Sequence, residues 1–211
     1  MIAEKLSFKF DIKELVHAFT TVVACRPPAQ GPALHGWSLL SSNGSYLDGW
    51  HDGTVHMKPQ MTEPELKTAG LNSESQKMNQ YVMPTEIYQG ALKAVIEVIR
   101  QSGIEVFRAR ISGLRPNQQA SWHRDAPDHV YRVRLHIPLV TNPHCFFETR
   151  EGKIHMPADG SSFLINVNCE HRAYNLGSET RYHIIMDAID RTNVSQHHRY
   201  SDYLNSQKKI G

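Results

Sequence analysis

The chain has 211 residues, a formal charge of +2, three cysteines and thirteen histidines. That length supports one sizeable core. The near-neutral charge, with no run of five or six like charges, excludes a nucleic-acid or membrane-surface footprint, and the widely spaced Cys25, Cys145 and Cys169 form neither a zinc ribbon nor a disulfide framework.

No apolar stretch is long enough to span a bilayer, and the opening MIAEKLSFKFD lacks the apolar core of a signal peptide, so a cytoplasmic protein is expected. Asp11-Ile-Lys-Glu14 then reads as a capping box, followed by Leu15, Ala18, Phe19 and Val22 at helical spacing. This helix is expected to end before Arg26-Pro27-Pro28, because a residue preceding proline is pushed out of helical geometry. HGWSLLSSNGSYLDGW, residues 35 to 50, predicts a β-hairpin turning at Asn43-Gly44. Residues 51 to 80 are rich in Gly, Pro, Ser, Asn, Gln and Thr and are expected to form a long loop, an ordinary surface connection or a lid.

A second helix is predicted from Pro84-Thr85 to Gly103, with Tyr88, Leu92, Val95, Ile96 and Ile99 as its apolar stripe. From residue 104 the period changes to two, and IEVFRARI, VYRVRLHIPLV, GSSFLINVN and RYHIIMDAI all read as strands. Helices followed by a β-rich second half predict an α+β chain, mainly β, whose strands form a sandwich or jelly roll.

Alternation sorts the strand side chains. Val133, Leu135, Ile137 and Leu139 face one way, and Arg132, Arg134 and His136 the other; Tyr182, Ile184 and Met186 oppose Arg181, His183, Ile185 and Asp187. Such polar rows suit either a solvated face or a polar interior. His123 and Asp125, two residues apart in an extended segment, project to the same side and can reach one ion. A third ligand is open among His129, His136, His144, His155, His171 and His183; His171, just past the strand FLINVN, is the best placed. Two histidines and a carboxylate form the facial triad of non-haem Fe(II) oxygenases, although Zn, Mn or Ni would also be held. Arg181, ten residues after His171 and across the turn-like NLGSET, offers a planar fork suited to a carboxylate of 2-oxoglutarate.

His123-Arg-Asp125, Arg134-Leu-His-Ile-Pro-Leu-Val-Thr-Asn-Pro143, His171-Arg-Ala-Tyr-Asn175 and Arg181-Tyr-His-Ile-Ile-Met-Asp187 together resemble the aspartyl/asparaginyl β-hydroxylase family of Fe(II)/2-oxoglutarate-dependent dioxygenases, including small bacterial members such as proline cis-hydroxylases. The resemblance spans roughly residues 105 to 190, and HGWSLLSSNG is similar to a tryptophan-bearing segment upstream in small members. It implies a double-stranded β-helix (a cupin-like jelly roll with supporting N-terminal helices) and iron at its open end on His123, Asp125 and His171. It also implies Arg181 as the anchor of a 2-oxoglutarate carboxylate, with Arg134 and His136 touching the cosubstrate or its surroundings. Some relatives that modify protein side chains lack the metal carboxylate, so Asp125 places the chain nearer the small-molecule type.

One oxygenase domain over 1–211 is thus expected, with helices, hairpin and loop in 1–103, the metal-binding core in 104–190 and a tail in 191–211. The expected activity is Fe(II)-, 2-oxoglutarate- and O2-dependent hydroxylation of an amino acid or similar small molecule bearing a carboxylate, with no nucleic-acid or membrane partner. The same chemistry on a peptide or protein residue and a non-catalytic cupin-like binding or sensing module are the alternatives. Further candidates carry two readings each. Arg132 binds a substrate carboxylate or makes a surface salt bridge. Trp37 and Trp50 wall the pocket or pack in the core. Asn142 and Asn168 bond substrate or satisfy loop backbone. His183 supports the cosubstrate site or is a satisfied core histidine, and Asp187 pairs with a nearby arginine.

Overall fold

A computed structural model describes residues 2–31, 34–48, 81–125, 133–167 and 169–190. The first element is a strand that the sequence reading did not anticipate, β1 (Ala3–Lys9), followed by helix α1 (Ile12–Cys25). The Asp11 carboxylate caps α1 by accepting from the backbone N–H groups of Lys13 and Glu14, and Arg26 leaves the helix in extended geometry ahead of the two prolines. Short strands β2 (Ala29–Gln30), β3 (Leu34–Ser38), β4 (Leu40–Ser41) and β5 (Met83–Pro84) precede helix α2 (Gly90–Gln101). The long strand β6 (Ile104–Leu114) and the short β7 (Gln118–Gln119) come next, then β8 (Val133–Val140), β9 (Cys145–Thr149) and β10 (Gly152–Ile154). The described chain closes with β11 (Ser161–Asn166), β12 (His171–Asn175) and β13 (Arg181–Asp190).

Antiparallel pairing builds a major sheet in the order β1-β11-β8-β13-β6-β3-β2 and a minor sheet in the order β10-β9-β12-β7. The major sheet has two unlike faces. Leu135, Ile137, Leu139, Ile111, Ile184 and Met186 point outward and bury against Leu15, Phe19 and Val22 of α1 and Leu92, Val95, Ile96 and Ile99 of α2. Phe163 and Ile165 point inward and meet Phe147 of β9, with Met156 and Val167, in a second core. The chain is therefore a mainly β jelly roll with helices on one outer face. At the tight turn into β11, Gly160 (φ +84°) has no room for a Cβ, because the Phe10 carbonyl lies against it.

Two local expectations are corrected. Residues 35–48 form no hairpin ladder, since β3 pairs with β2 and β6 while β4 pairs with β5. The turn at Asn43-Gly44 exists, held by the Asn43 side chain accepting from Ser45 N–H, but long-range pairing takes the flanking strands elsewhere. The second helix also begins later than Pro84-Thr85. Thr85 is occupied by its hydroxyl donating to Ser38 O and its N–H to Leu39 O, and the helix starts at Gly90. The 51–80 loop, the 191–211 tail, Trp50, His129, Arg132 and Asn168 lie outside the described residues.

Candidate metal and cosubstrate site

The segment from β7 to Asp125 runs antiparallel along β12. Ala120 N–H donates to Ala173 O, and His123 and His171 form an isolated β-bridge in which each N–H donates to the other's carbonyl, at 3.0 and 2.9 Å. Side chains alternate along this segment. Trp122 lies under the Arg150 guanidinium (3.9 Å), while His123 stands next to Asp125. Asp125 N–H donates to Val167 O (3.2 Å), tying the carboxylate to the end of β11.

The result is a compact group. One ligand atom from each of His123, Asp125 and His171 lies within 4.8 Å of the others. His123 Nε2 is 3.4 Å from Asp125 Oδ1, and His171 Nε2 is 3.3 Å from Asp125 Oδ2. Ligand atoms about 2.1 Å from one ion and at right angles sit about 3 Å apart, so the spacing fits a single first-row metal. Each imidazole is oriented through its other nitrogen, His123 Nδ1 on Ser121 O (2.6 Å) and His171 Nδ1 on Cys169 O (2.9 Å). Donation from Nδ1–H leaves the Nε2 lone pair facing the ion position. Phe147 stacks on the His171 ring at 5.0 Å. Among the described residues, none of the other proposed third ligands joins this group.

Charge around the group is arranged from the major sheet. Arg134 donates through Nη1 to Asp125 Oδ2 and through Nε to Asp187 Oδ1 (3.0 Å). Burial of Asp125 would raise its carboxyl pKa, but Arg134 and the two imidazoles outweigh that and hold it well below the carboxylate norm. Burial likewise disfavours the His123 cation, yet its bond to Asp125 raises that group.

Deeper between the sheets, His136 and His183 share a 3.3 Å Nδ1–Nδ1 hydrogen bond. Burial, then the nearby Arg181 charge, holds both well below the usual histidine range, so both are neutral. Arg181 is 3 % exposed and lines a narrow void with Thr141, Phe147 and His183. Its pKa is pushed down to about 10 by burial. Arg181 Nε, Thr141 Oγ1, His136 Nε2, His183 Nε2 and Ser112 Oγ are all buried without a hydrogen-bond partner. A buried guanidinium whose Nε–H is unpartnered, with the unpartnered Thr141 hydroxyl lining the same void, is the complement of a carboxylate, so Arg181 and Thr141 fit one end of 2-oxoglutarate.

The remaining predicted residues fall elsewhere. Trp37 sits on the outer face beside Ile111, packs edge-on against Phe19, and donates its indole N–H to Arg26 O (3.0 Å). Asn142 caps the loop before β9, donating to Asn175 Oδ1 and Glu179 O and accepting from His144 N–H. Sequence reasoning missed Phe147, Thr141 and the β6 row Arg108, Arg110 and Ser112. Alternation within FRARIS carried a signal for that row, the same signal that exposed Arg134 and His136.

A family model described as aspartyl/asparaginyl beta-hydroxylase matches residues 65–191, more than half of the chain. Among solved structures, a 2OG-Fe(II) oxygenase family oxidoreductase from Burkholderia pseudomallei is similar at 11% identity and TM-score 0.49, covering 90% of this chain and 85% of that one. A Pseudomonas putida prolyl-4-hydroxylase is similar at 13% identity and TM-score 0.46, covering 90% and 92%. The viral collagen prolyl hydroxylase of Paramecium Bursaria Chlorella virus-1 is similar at 10% identity and TM-score 0.46, covering 89% and 95%. No curated protein sequence matches the chain.

Proposed function

The chain belongs to the aspartyl/asparaginyl β-hydroxylase family and is a 2-oxoglutarate-dependent non-haem iron dioxygenase, and from that premise we propose that it hydroxylates an unactivated C–H bond of an amino acid or amino-acid-like small molecule carrying a carboxylate. The observation that carries this reading is the convergence of His123, Asp125 and His171 within 4.8 Å, both imidazoles oriented through Nδ1. Three protein ligands on one side leave positions for two oxygens of a keto acid and for O2.

Bound iron would supply the coupling of 2-oxoglutarate decarboxylation to C–H oxidation, with one oxygen atom of O2 entering succinate and the other the product. The protein's own residues do the rest. His123, Asp125 and His171 hold the ion, and Arg134 holds Asp125 in its ionised form. Arg181 receives the far carboxylate of the cosubstrate, with Thr141 as a second donor. The neutral His136–His183 pair lines the same interior without adding charge. Phe147 covers His171 and walls the void, keeping water off the reacting side.

The test is spectroscopic. Anaerobic addition of Fe(II) and 2-oxoglutarate should produce a weak visible metal-to-ligand charge-transfer band, and aerobic incubation should produce succinate. Free amino acids should stimulate succinate formation and become heavier by one oxygen, while peptides should not. A well-loaded protein with no band would sink the oxygenase reading, and stimulation by peptides alone would move the substrate to a peptidyl residue.

A further inference from the structure

His123 is the ligand whose placement the sheets explain least. The Asp125 and His171 side chains are 0 % and 3 % exposed, and His171 belongs to β12. The His123 side chain is 23 % exposed, and its segment meets β12 there through an isolated bridge rather than a ladder. Any change in the distance of that segment from β12 alters the gap between the two imidazoles, whose ring centroids are 4.4 Å apart. Metal–ligand distances tolerate errors of only about 0.2 Å, so that distance has to be held.

The restraint lies on the far side of the same strands. Side chains alternate in extended backbone, so the neighbours of the two histidines project away from the metal: Trp122 before His123, and Glu170 and Arg172 on either side of His171. The bridge register sets Trp122 opposite Arg172, and Arg172 stands opposite Glu148 of β9. Two guanidiniums grip the Trp122 ring, with Arg150 Cζ 3.9 Å and Arg172 Cζ 4.9 Å from its centroid. A carboxylate aims each of them. Arg150 Nε donates to Glu170 (3.1 Å) and Arg172 Nε donates to Glu148 (2.6 Å). Arg172 also donates through Nη1 to Gln119 of β7 (3.4 Å), upstream on the chain that leads to His123. Strand β9, strand β12 and the His123 segment are thereby laced together directly behind the ligands. Because carboxylates of the same sheet already take both guanidiniums, the stack is directed at the protein itself rather than at an anionic ligand.

We propose that Trp122 is a positioning residue for the metal: its ring, gripped by Arg172 and Arg150, fixes the gap between His123 and His171 and so sets how long an ion is held. This rests on the metal site of the dioxygenase reading above and adds to it the outer-face brace that keeps the ligands in register. Phe147 stacks on His171 from the inner side, so β12 is held from both faces at the ligand. The two arms are unequal. The Arg150 side chain is 62 % exposed and that of Arg172 30 %, so water screens the Arg150 arm more and the Arg172 arm carries more of the restraint.

The experiment uses the full chain loaded with Zn(II). Release to an excess of a coloured chelator is followed by stopped flow, and affinity is read by competition. Trp122→Leu keeps apolar bulk but loses the ring face, and it should release zinc about tenfold faster and bind it about tenfold more weakly. Trp122→Phe retains a ring face and should stay within about threefold of wild type. Arg172→Gln should speed release more than Arg150→Gln. In the Trp122→Leu background Arg172→Gln should add less than about twofold, because both act through one contact. Urea titration of the metal-free chains should show each variant folded before zinc is added, so the losses belong to the site and not to the fold. Wild-type release in Trp122→Leu would overturn the proposal. So would a loss in Trp122→Phe equal to that in Trp122→Leu, or additive losses in the double variant. Should Trp122→Leu prove unfolded, the two arginine variants decide, and wild-type release in both would overturn the brace. Zinc affinity that survives His171→Ala would overturn the metal site and the brace with it. A chain that holds zinc through His171 but gives no charge-transfer band with Fe(II) and 2-oxoglutarate would overturn only the dioxygenase reading, and zinc release would still decide the brace.

Discussion

The two faces of the major sheet come from the same strands, yet they are built for opposite ends. On β8, Leu135, Ile137 and Leu139 bury against the helices, while Arg134 and His136, one residue away in each case, face the interior. On β13, Ile184 and Met186 pack outward while Arg181, His183 and Asp187 point in. The outer face gains stability from apolar burial. The inner face spends some of it by holding guanidiniums and neutral imidazoles away from water. A strand's period of two lets one sequence do both, and the stiff, well-packed outer side fixes the position of the reactive inner one.

Substitutions should therefore separate by face. The largest effect belongs to the inner face: His171→Ala should abolish metal binding and take 2-oxoglutarate-dependent succinate formation below detection, with unfolding in urea little changed. Next is the outer face. Ile137→Ala should lower unfolding stability by about 2–5 kcal/mol in urea titration, while the folded fraction keeps its metal affinity. If Ile137→Ala instead weakened metal binding, the division between the faces would break.

Arg181→Met should raise the Kd for 2-oxoglutarate roughly a hundredfold, read from anaerobic titration of the charge-transfer band. Because it removes a buried cation, its urea midpoint should hold or rise. The pH dependence is smaller. His136 and His183 have folded pKa values well below 6.5, so the unfolded chain takes up protons that the folded one refuses. Their contribution is complete above that value and is lost as the pH falls below it, at up to about 1.4 kcal/mol per pH unit for each histidine. Thermal midpoints of metal-free protein between pH 7 and 5 should show the decline, and His183→Asn should flatten part of it. The smallest effect is Asp11→Ala, which removes the cap of the helix covering the outer face and should cost about 1 kcal/mol without touching turnover.

Much of this division was legible in the sequence. Period-two patterning assigned the faces of β8 and β13, and the Asp11 box with Pro27-Pro28 bracketed α1 to the residue. What was hidden has physical causes. The β1 segment AEKLSFK is a charged edge strand whose weak pattern emerges only when β11 is there to pair with it. Asn43-Gly44 signalled a local hairpin, but β6 competed for β3 and won. Along β6, Arg108, Arg110 and Ser112 alternate with Ala109 and Ile111 in the sequence, but the extra residue that β6 carries opposite β13 belongs to the pairing of two strands and is not written in either one alone. In the site, His123, Asp125 and His171 were found from side-chain types, whereas the Ser121 and Cys169 carbonyls that aim the imidazoles are backbone atoms any residue provides. Arg181 was found for its fork, but its companion Thr141 looked like an ordinary loop residue.

The reciprocal main-chain bridge between His123 and His171 has a consequence for metallation. It makes the ligand pair a clamp already set to its working gap, so capture of an ion requires no refolding and offers little discrimination by size. Zinc, which outranks ferrous iron in intrinsic affinity for such donors, should be captured just as readily and leave the protein inert. Correct loading then depends on which ion the surroundings deliver rather than on selection by the clamp.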